Sequence, residues 1–418
     1  MKNMTNKKNL GFSLIELMVA ITIGLFLVAG LISVFDTVAS MNRTQNGLAR
    51  LQENGRYAVT SIKQELEQTG YQYCLGSSLD ATKINDPVYP QPWVIFADSV
   101  APGLPTRSNV SQIPTATVGV PYLLDTAYFL HGHECDDTSC LPSLTSLGSA
   151  TNFTIPDIGK GDGDRIANTD VLTFRYLSGS GRSIDLVTTD ATTGTVSFVF
   201  TPDGSSVVTP TATTSKVVIP NCASPAVVVD MTTIGSATGT ATIPADPNRV
   251  INLTAQSLPR MFDLNTAARS VTYYVANAVV DGRDIPTLFS VINGVSNAVI
   301  QGVDRFDVLY GVRTKDGNVV ILDANDVETL PPAQCVPTTR VVGIDLVDTV
   351  GCGWRSVVSI EVHLLLNTIY DSSRGDSDQY VYSIDGSGFQ SPSSSASEIK
   401  RYNMHRREFI TTVTLKNY

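Results

Sequence analysis

The chain has 418 residues, 16% of them charged, and a formal charge of −10 at neutral pH. That length leaves room for one large folded region or two modest ones, and the acidic balance argues against nucleic-acid binding through the surface as a whole. Charged residues fall below the usual ~25%, which with abundant Thr, Ser, Val and Gly points to a β-rich domain outside the cytoplasm.

The first predicted element is an apolar run from Leu10 to Phe35 with one charge in it, Glu16. The residues before it carry Lys2, Lys7 and Lys8 and no acid. As a helix, Phe12 to Phe35 would be about 36 Å long, enough to cross a ~30 Å hydrocarbon core with some tilt. The apolar core of a secretory signal is usually only ~7–15 residues and is followed by a small-residue cleavage site. Here the run is longer, and the best small residue, Gly11, precedes it. The lysines ahead of the span keep the N-terminus cytoplasmic and send the rest across.

Glu16 is costly in such a span, ~2.5–3.5 kcal/mol at a helix centre and less near an end, so it needs a partner. Cleavage after Gly11 would expose the amine of Phe12, a cation with an ordinary pKa near ~7.7. Glu16 of one subunit would then pair with Phe12 of a neighbour, which neutralises the charge and sets the stagger between subunits. Gly11-Phe12-Ser13-Leu14-Ile15-Glu16-Leu17 resembles the class III signal of type IV prepilins and pseudopilins. The resemblance implies cleavage by a prepilin peptidase between Gly11 and Phe12, N-methylation of Phe12, and an assembly contact at Glu16. The alternative is an ordinary signal anchor.

No proline occurs before Pro87. From Asp36 the pattern turns amphipathic, with Val38, Met41, Leu48, Leu51, Val59, Ile62 and Leu66 at steps near three, four and seven. One helix is therefore predicted from about Phe12 to Thr69, stopped by Thr69-Gly70. Gly47 and Gly55 read as weak points of ~1 kcal/mol each against Ala. Leu51-Gln52-Glu53-Asn54-Gly55-Arg56-Tyr57-Ala58, followed by Gly70-Tyr71 and Cys74, resembles the PilW-type minor pilins.

Asp86 to Pro142 reads as loop, punctuated by Pro87, Pro90, Pro92, Pro102, Pro105 and Pro114. Strand signals begin at Val171–Tyr176 and recur at Ile184–Val187, Val196–Phe200, Lys216–Ile219, Val227–Met231, Val250–Leu253 and Val271–Val275. Six cysteines, Cys74, Cys135, Cys140, Cys222, Cys335 and Cys352, all follow the span. An even count on the oxidising side predicts disulfides. Spacing makes Cys135–Cys140 and Cys335–Cys352 the economical local bridges and leaves Cys74–Cys222, although sequence alone keeps every pairing open.

The last third resembles the PilW family again. Ile300–Val312 fits its strand leading into a tyrosine-glycine turn at Tyr310-Gly311, Trp354–Leu366 a following core strand, and Arg407–Asn417 the closing strand. Alternation of Phe409, Thr411, Val413 and Leu415 gives the closing strand one buried face. Asp371 to Lys400 reads as a surface loop. The resemblance covers residues 10–75 and about 298–418.

The search for chemistry finds no G-x-S-x-G elbow, P-loop or H-E-x-x-H. His131 and His133 with Cys135 and Cys140 have zinc-type ligand chemistry, but an oxidising compartment favours the disulfide. His363 reads as a core or interface side chain. Asp157, Asp162, Asp164 and Asp170 among glycines could offer oxygen ligands to calcium, and a solvated turn is preferred. Arg374-Gly375-Asp376 is too short a signal to carry adhesion.

The fold class expected is α+β and pilin-like: a long N-terminal helix, its first half transmembrane, packed on an antiparallel β-sheet domain with large insertions. The expected division is a leader at 1–11, a transmembrane half at 12–35, an amphipathic half at 36–70 and a head at 71–418, with an insert at about 80–297. No catalytic residue, metal or cofactor is assigned, and the chain is not read as an enzyme. The resemblance implies a minor pilin that helps initiate a type IV pilus and sits in it, at the tip, supporting pilus biogenesis, twitching motility, adhesion or DNA uptake. It implies as partners other minor pilins, the major pilin, a PilY-type tip adhesin and the prepilin peptidase. It implies the inner membrane before assembly, with a periplasmic head, and the cell surface after. The competing readings are a minor pseudopilin of type II secretion and a ligand-binding adhesin on a pilin anchor.

Overall fold

A computed structural model of the chain describes residues 13–74, 93–95, 129–144, 155–200, 216–222, 227–234, 237–242, 253–335, 339–341, 344–346, 351–369, 380–384, 389–390 and 404–416. Gly11, Phe12, Arg374-Gly375-Asp376 and most of the Asp371–Lys400 loop lie outside them.

A single helix, α1, runs from Leu14 to Leu66. Its large side chains from Leu14 to Phe35 are exposed. Its buried residues are Leu51, Gly55, Ala58, Ile62 and Leu66. Steps of three and four put them in one stripe.

The strands are, in order, β1 (Trp93–Ile95), β2 (Leu130–Cys135), β3 (Cys140–Leu141) and β4 (Val171–Leu177). Then come β5 (Arg182–Asp190), β6 (Thr195–Phe200), β7 (Lys216–Ile219), β8 (Val227–Ile234), β9 (Thr238–Thr242), β10 (Leu253–Thr254) and β11 (Arg260–Asp263). Next are β12 (Ala268–Val280), β13 (Arg283–Ile292), β14 (Val295–Gln301), β15 (Val303–Arg313), β16 (Val319–Leu322), β17 (Thr339–Val341) and β18 (Ile344–Leu346). The last are β19 (Val357–Asn367), β20 (Tyr380–Val381), β21 (Phe389–Gln390) and β22 (Arg406–Thr414).

Two sheets share the core of α1. One has the order β14-β13-β12-β4-β2-β3 and the other β16-β15-β19-β22. Leu51, Ala58, Ile62 and Leu66 pack with Phe174 and Tyr273 from the first sheet and with Phe306, Ile360, Val362, Leu364 and Val413 from the second. The chain crosses between sheets at Gly302, whose φ of +83° suits glycine and whose Cβ position would lie 2.9 Å from the Asn367 carbonyl oxygen.

Between β4 and β12 a separate unit is inserted. β5 pairs with β6, β6 with β9, β9 with β8, β8 with β7, β7 with β11, and β11 with β5, so the six strands close into a ring. Closure requires β8 to serve both sides. Its first half pairs with β7 and its second half with β9. Alternate residues Val196, Phe198 and Phe200 of β6 fill the interior with Val187, Val217, Val229 and Met231.

Four local expectations differ from the structure. The stretch read as loop before Pro142 contains β1, β2 and β3. β2 forms because β4 lies beside it, with Leu130 opposite Phe174 and His133 opposite Val171, a partner that local pattern does not reveal. Ile300–Val312 is two strands divided at Gly302. Tyr310-Gly311 is no turn but lies within β15, beside a register shift against β19. A Cβ at Gly311 would fall 2.1 Å from Ser359 Oγ, so the glycine serves close strand approach. Trp354 and Arg355 belong to a helical turn, Cys352–Arg355, and β19 begins only at Val357.

Candidate assembly site and polar clusters of the head

Ser13 caps α1. Its hydroxyl accepts from the Ile15 N–H at 3.4 Å, and Glu16 Oε2 accepts from the Ser13 N–H at 3.0 Å, which completes a capping box. Glu16 is thus used within its own chain, satisfying a helix-terminal N–H. A carboxylate has about four lone-pair sites, so the cap leaves room for a further cation. Gly24 and Gly30, on the exposed apolar half, have nothing within 4 Å of a Cβ position.

The helix end is tied to the head. Tyr273 Oη donates to Glu65 Oε2 at 2.5 Å. Burial and the Glu65 charge raise the phenol's pKa, so it stays a donor. At Gly55 the Phe409 ring of the closing strand lies against the helix. A Cβ there would lie 2.2 Å from Phe409 Cζ.

All six cysteines are paired, as Cys74–Cys222, Cys135–Cys140 and Cys335–Cys352. With Cys135 and Cys140 joined, no thiolate is left beside His131 and His133 to bind zinc. The two imidazoles lie 4.8 Å apart, and His131 stacks on Trp354 at 4.7 Å. Glu328 accepts from Trp354 Nε1 at 2.6 Å and lies 3.5 Å from His131 Nε2. His133 sits with Nδ1 at 2.6 Å from the Pro142 carbonyl oxygen. Its pKa is pushed down to about 4, first by burial and then by His131.

The acidic loop does not gather its carboxylates around a cation. Asp164 Oδ2 accepts from the Gly161 N–H at 2.6 Å, and Asp162 Oδ1 from the Val279 N–H at 2.9 Å. Asp170 leaves the loop altogether. It is 2% exposed, and its carboxylate accepts from the Cys135 N–H at 3.0 Å and the Val308 N–H at 2.9 Å.

Asp170 meets two other carboxylates, Glu134 and Asp307, with oxygens of all three within 4.8 Å of one another. Asp307 Oδ1 accepts from Arg305 Nη2 at 2.9 Å, and its Oδ2 accepts a short hydrogen bond from Tyr382 Oη. Three carboxylates have calcium-type ligand chemistry, yet every oxygen of Asp170 and Asp307 is already hydrogen-bonded. Burial and then the charge of Asp307 push Glu134 up to about 7, and burial raises Asp170 well above the usual carboxylate range. The arrangement holds protons rather than exposing three negative charges. Sequence reasoning missed it because residues 134, 170 and 307 are far apart. The legible signal was Asp304 and Asp307 in a strand otherwise written for burial.

His363, 3% exposed, lies on the same face of the second sheet. Its Nε2 is 2.8 Å from Glu361 Oε1, and its Nδ1 is 2.9 Å from Glu408 Oε1 and 3.0 Å from Ser383 Oγ. It joins β19, β22 and the residue after Tyr382, as an interior crosslink. Asp304 likewise accepts from Arg406 Nε and Asn367 Nδ2 at 2.8 and 2.9 Å.

The family model described as type IV pilus-assembly protein W matches residues 272–417, and the prokaryotic N-terminal methylation motif matches residues 6–32. The two matches, over the last third of the chain and its N-terminus, support a PilW-family protein of the type IV pilus with a class III prepilin signal. The PilW match runs from within β12 to β22, taking in the second sheet and the β12-β13-β14 side of the first, and leaves the barrel outside it. No curated protein and no solved structure matches significantly. The two family matches support a minor pilin role in a type IV pilus context, and the prepilin motif with the apolar half of α1 is in keeping with membrane anchoring before assembly.

Proposed function

We propose that this minor pilin helps initiate type IV pilus assembly and remains at the pilus tip. The observation that carries the reading is the contrast along one helix: the large apolar side chains from Leu14 to Phe35 are exposed, while the stripe from Leu51 to Leu66 is buried in the head. The exposed half is the part that can exchange lipid for neighbouring subunits. Cleavage between Gly11 and Phe12, N-methylation of Phe12 and pairing of Glu16 with a neighbour's Phe12 complete the sequence of events. The head favours the tip because it carries two sheets and an added barrel, a bulk that would crowd if repeated along a shaft. Other minor pilins and a PilY-type adhesin are the partners this reading calls for. Gold labelling of an epitope placed at Thr192, in the β5–β6 turn, tests it. Label at one end of sheared pili is expected, and label spaced along the shaft would contradict the tip position.

A further inference from the structure

The barrel enters and leaves the head at a single point. Leu177 of β4 is paired with Ala268 of β12, and the Ser178 N–H donates to the Ala267 carbonyl at 2.8 Å. Everything from Ser178 to Ala267 is therefore spliced into what would otherwise be a short hairpin turn. The barrel's core, from Ile184 to Met261, shares no residue with the core around α1. Gly179, at φ +84° with nothing within 4 Å of a Cβ position, is the pivot of the outgoing connection, one residue before Ser180, whose carbonyl Arg260 Nη1 ties to the barrel at 2.6 Å. Apart from the three-residue pairing of β1 with β8, the unit would be held by two adjacent strands alone and would swing.

A second attachment opposes that swing. After α1 the chain turns at Gly70 and then at Tyr73, which have φ of 70° and 72°. Positive φ is an outlier for a bulky residue such as tyrosine and persists only where surroundings enforce it. Here it turns the chain onto the barrel. Tyr73 lies 6.3 Å from the Phe262 ring and 5.1 Å from the Arg260 guanidinium carbon, and Cys74 is bonded to Cys222. Cys222 is itself held, its N–H donating to the Ser257 carbonyl at 2.9 Å.

We propose that residues 178–267 are an independently folded barrel module and that Cys74–Cys222 is the latch that fixes it to the end of α1. The disulfide turns a pivot into a rigid joint, and the strained Tyr73 aims the cysteine. Any load carried by α1 then reaches the barrel directly rather than through the β4–β12 hairpin. That consequence in a pilus rests on the filament role proposed above, whereas the latch is a property of the isolated chain and is tested there.

The test uses the full chain in detergent with spin-labelled unnatural residues at Thr192 in the barrel and Lys315 in the head. The parent is expected to give one narrow distance distribution. Cys74→Ser/Cys222→Ser should broaden it severalfold and speed proteolytic cleavage between Ser178 and Gly181 at least tenfold, while Cys135→Ser/Cys140→Ser should do neither. An unchanged narrow distance in Cys74→Ser/Cys222→Ser would overturn the latch, as would global unfolding of that variant. In a second variant, Leu177 is joined to Ala268 through Asn-Gly and Cys74 becomes Ser. A cooperative melt of the remaining head is expected, and its failure to fold would overturn the module.

Discussion

Gly55 and Phe409 occupy one space: a Cβ on the glycine would sit 2.2 Å from the ring's Cζ. The contact joins the stripe of α1 to the closing strand, so the first and last resemblances to the family are two sides of one packing surface. Gly55→Ala should therefore destabilise the head. Overpacking costs about 1–3 kcal/mol, against at most ~1 kcal/mol gained in helix propensity. Phe409→Leu in the same chain should recover most of the loss, read as a coupling in a double-mutant cycle by urea denaturation. Additive losses would mean that the two residues do not compete for space.

Glu134 gives the head a pH dependence of definite sign. Its folded pKa, about 7, lies above its ordinary 4.5, so the folded state holds the proton longer than the unfolded one. Stability from this group falls as pH rises from about 4.5 to 7. Glu134→Gln keeps the neutral form, so its melting temperature should gain on the parent across that window and level off above it. A constant difference at all pH values would show that Glu134 holds no proton there.

His133 acts in the opposite direction. Its folded pKa, about 4, is below its ordinary 6.5, so the unfolded state binds a proton first, and stability is lost as pH falls from 6.5 towards 4. His133→Asn should flatten this acid limb in thermal melts, and an unchanged limb would place the acid sensitivity elsewhere.

Arg406 and Asp304 pair at 2.8 Å with side chains 2% and 8% exposed. Arg406→Met removes one partner of a buried pair, which costs about 3–5 kcal/mol. Arg406→Met with Asp304→Asn should cost less than Arg406→Met alone by chemical denaturation. Equal losses would show that stem packing, not the stranded charge, governs the site.

The helix was legible because period and length agree over its whole course, and the closing strand because Val413 and Leu415 alternate with exposed neighbours. Gly55 reads from sequence only as a helix weak point, and the reason for it is a ring that arrives 354 residues later in the chain. Strands β5 to β8 of the barrel were readable from Val, Ile and Phe runs, whereas β9 (Thr-Gly-Thr-Ala-Thr) and β11 (Arg-Met-Phe-Asp) carry no such run. The barrel's closure was not readable, because β8 must divide its pairing between two partners and no local pattern records that. Nor does any pattern show that Leu177 meets Ala268. The meeting of Glu134, Asp170 and Asp307 was unreadable for the same reason: Asp307 stood out in an apolar strand, but nothing local named its two partners.

The proposed route into the pilus has the chain cut between Gly11 and Phe12 and docked through Glu16. Mass spectrometry of this chain recovered from sheared, purified pili tests that route, with Glu16→Ala run in parallel. An N-terminus of N-methylated Phe12 is expected in the parent, and in Glu16→Ala a processed chain that stays in the membrane fraction. Recovery of Glu16→Ala in pili at the parent's level, or of the parent with residues 1–11 still attached, would contradict it.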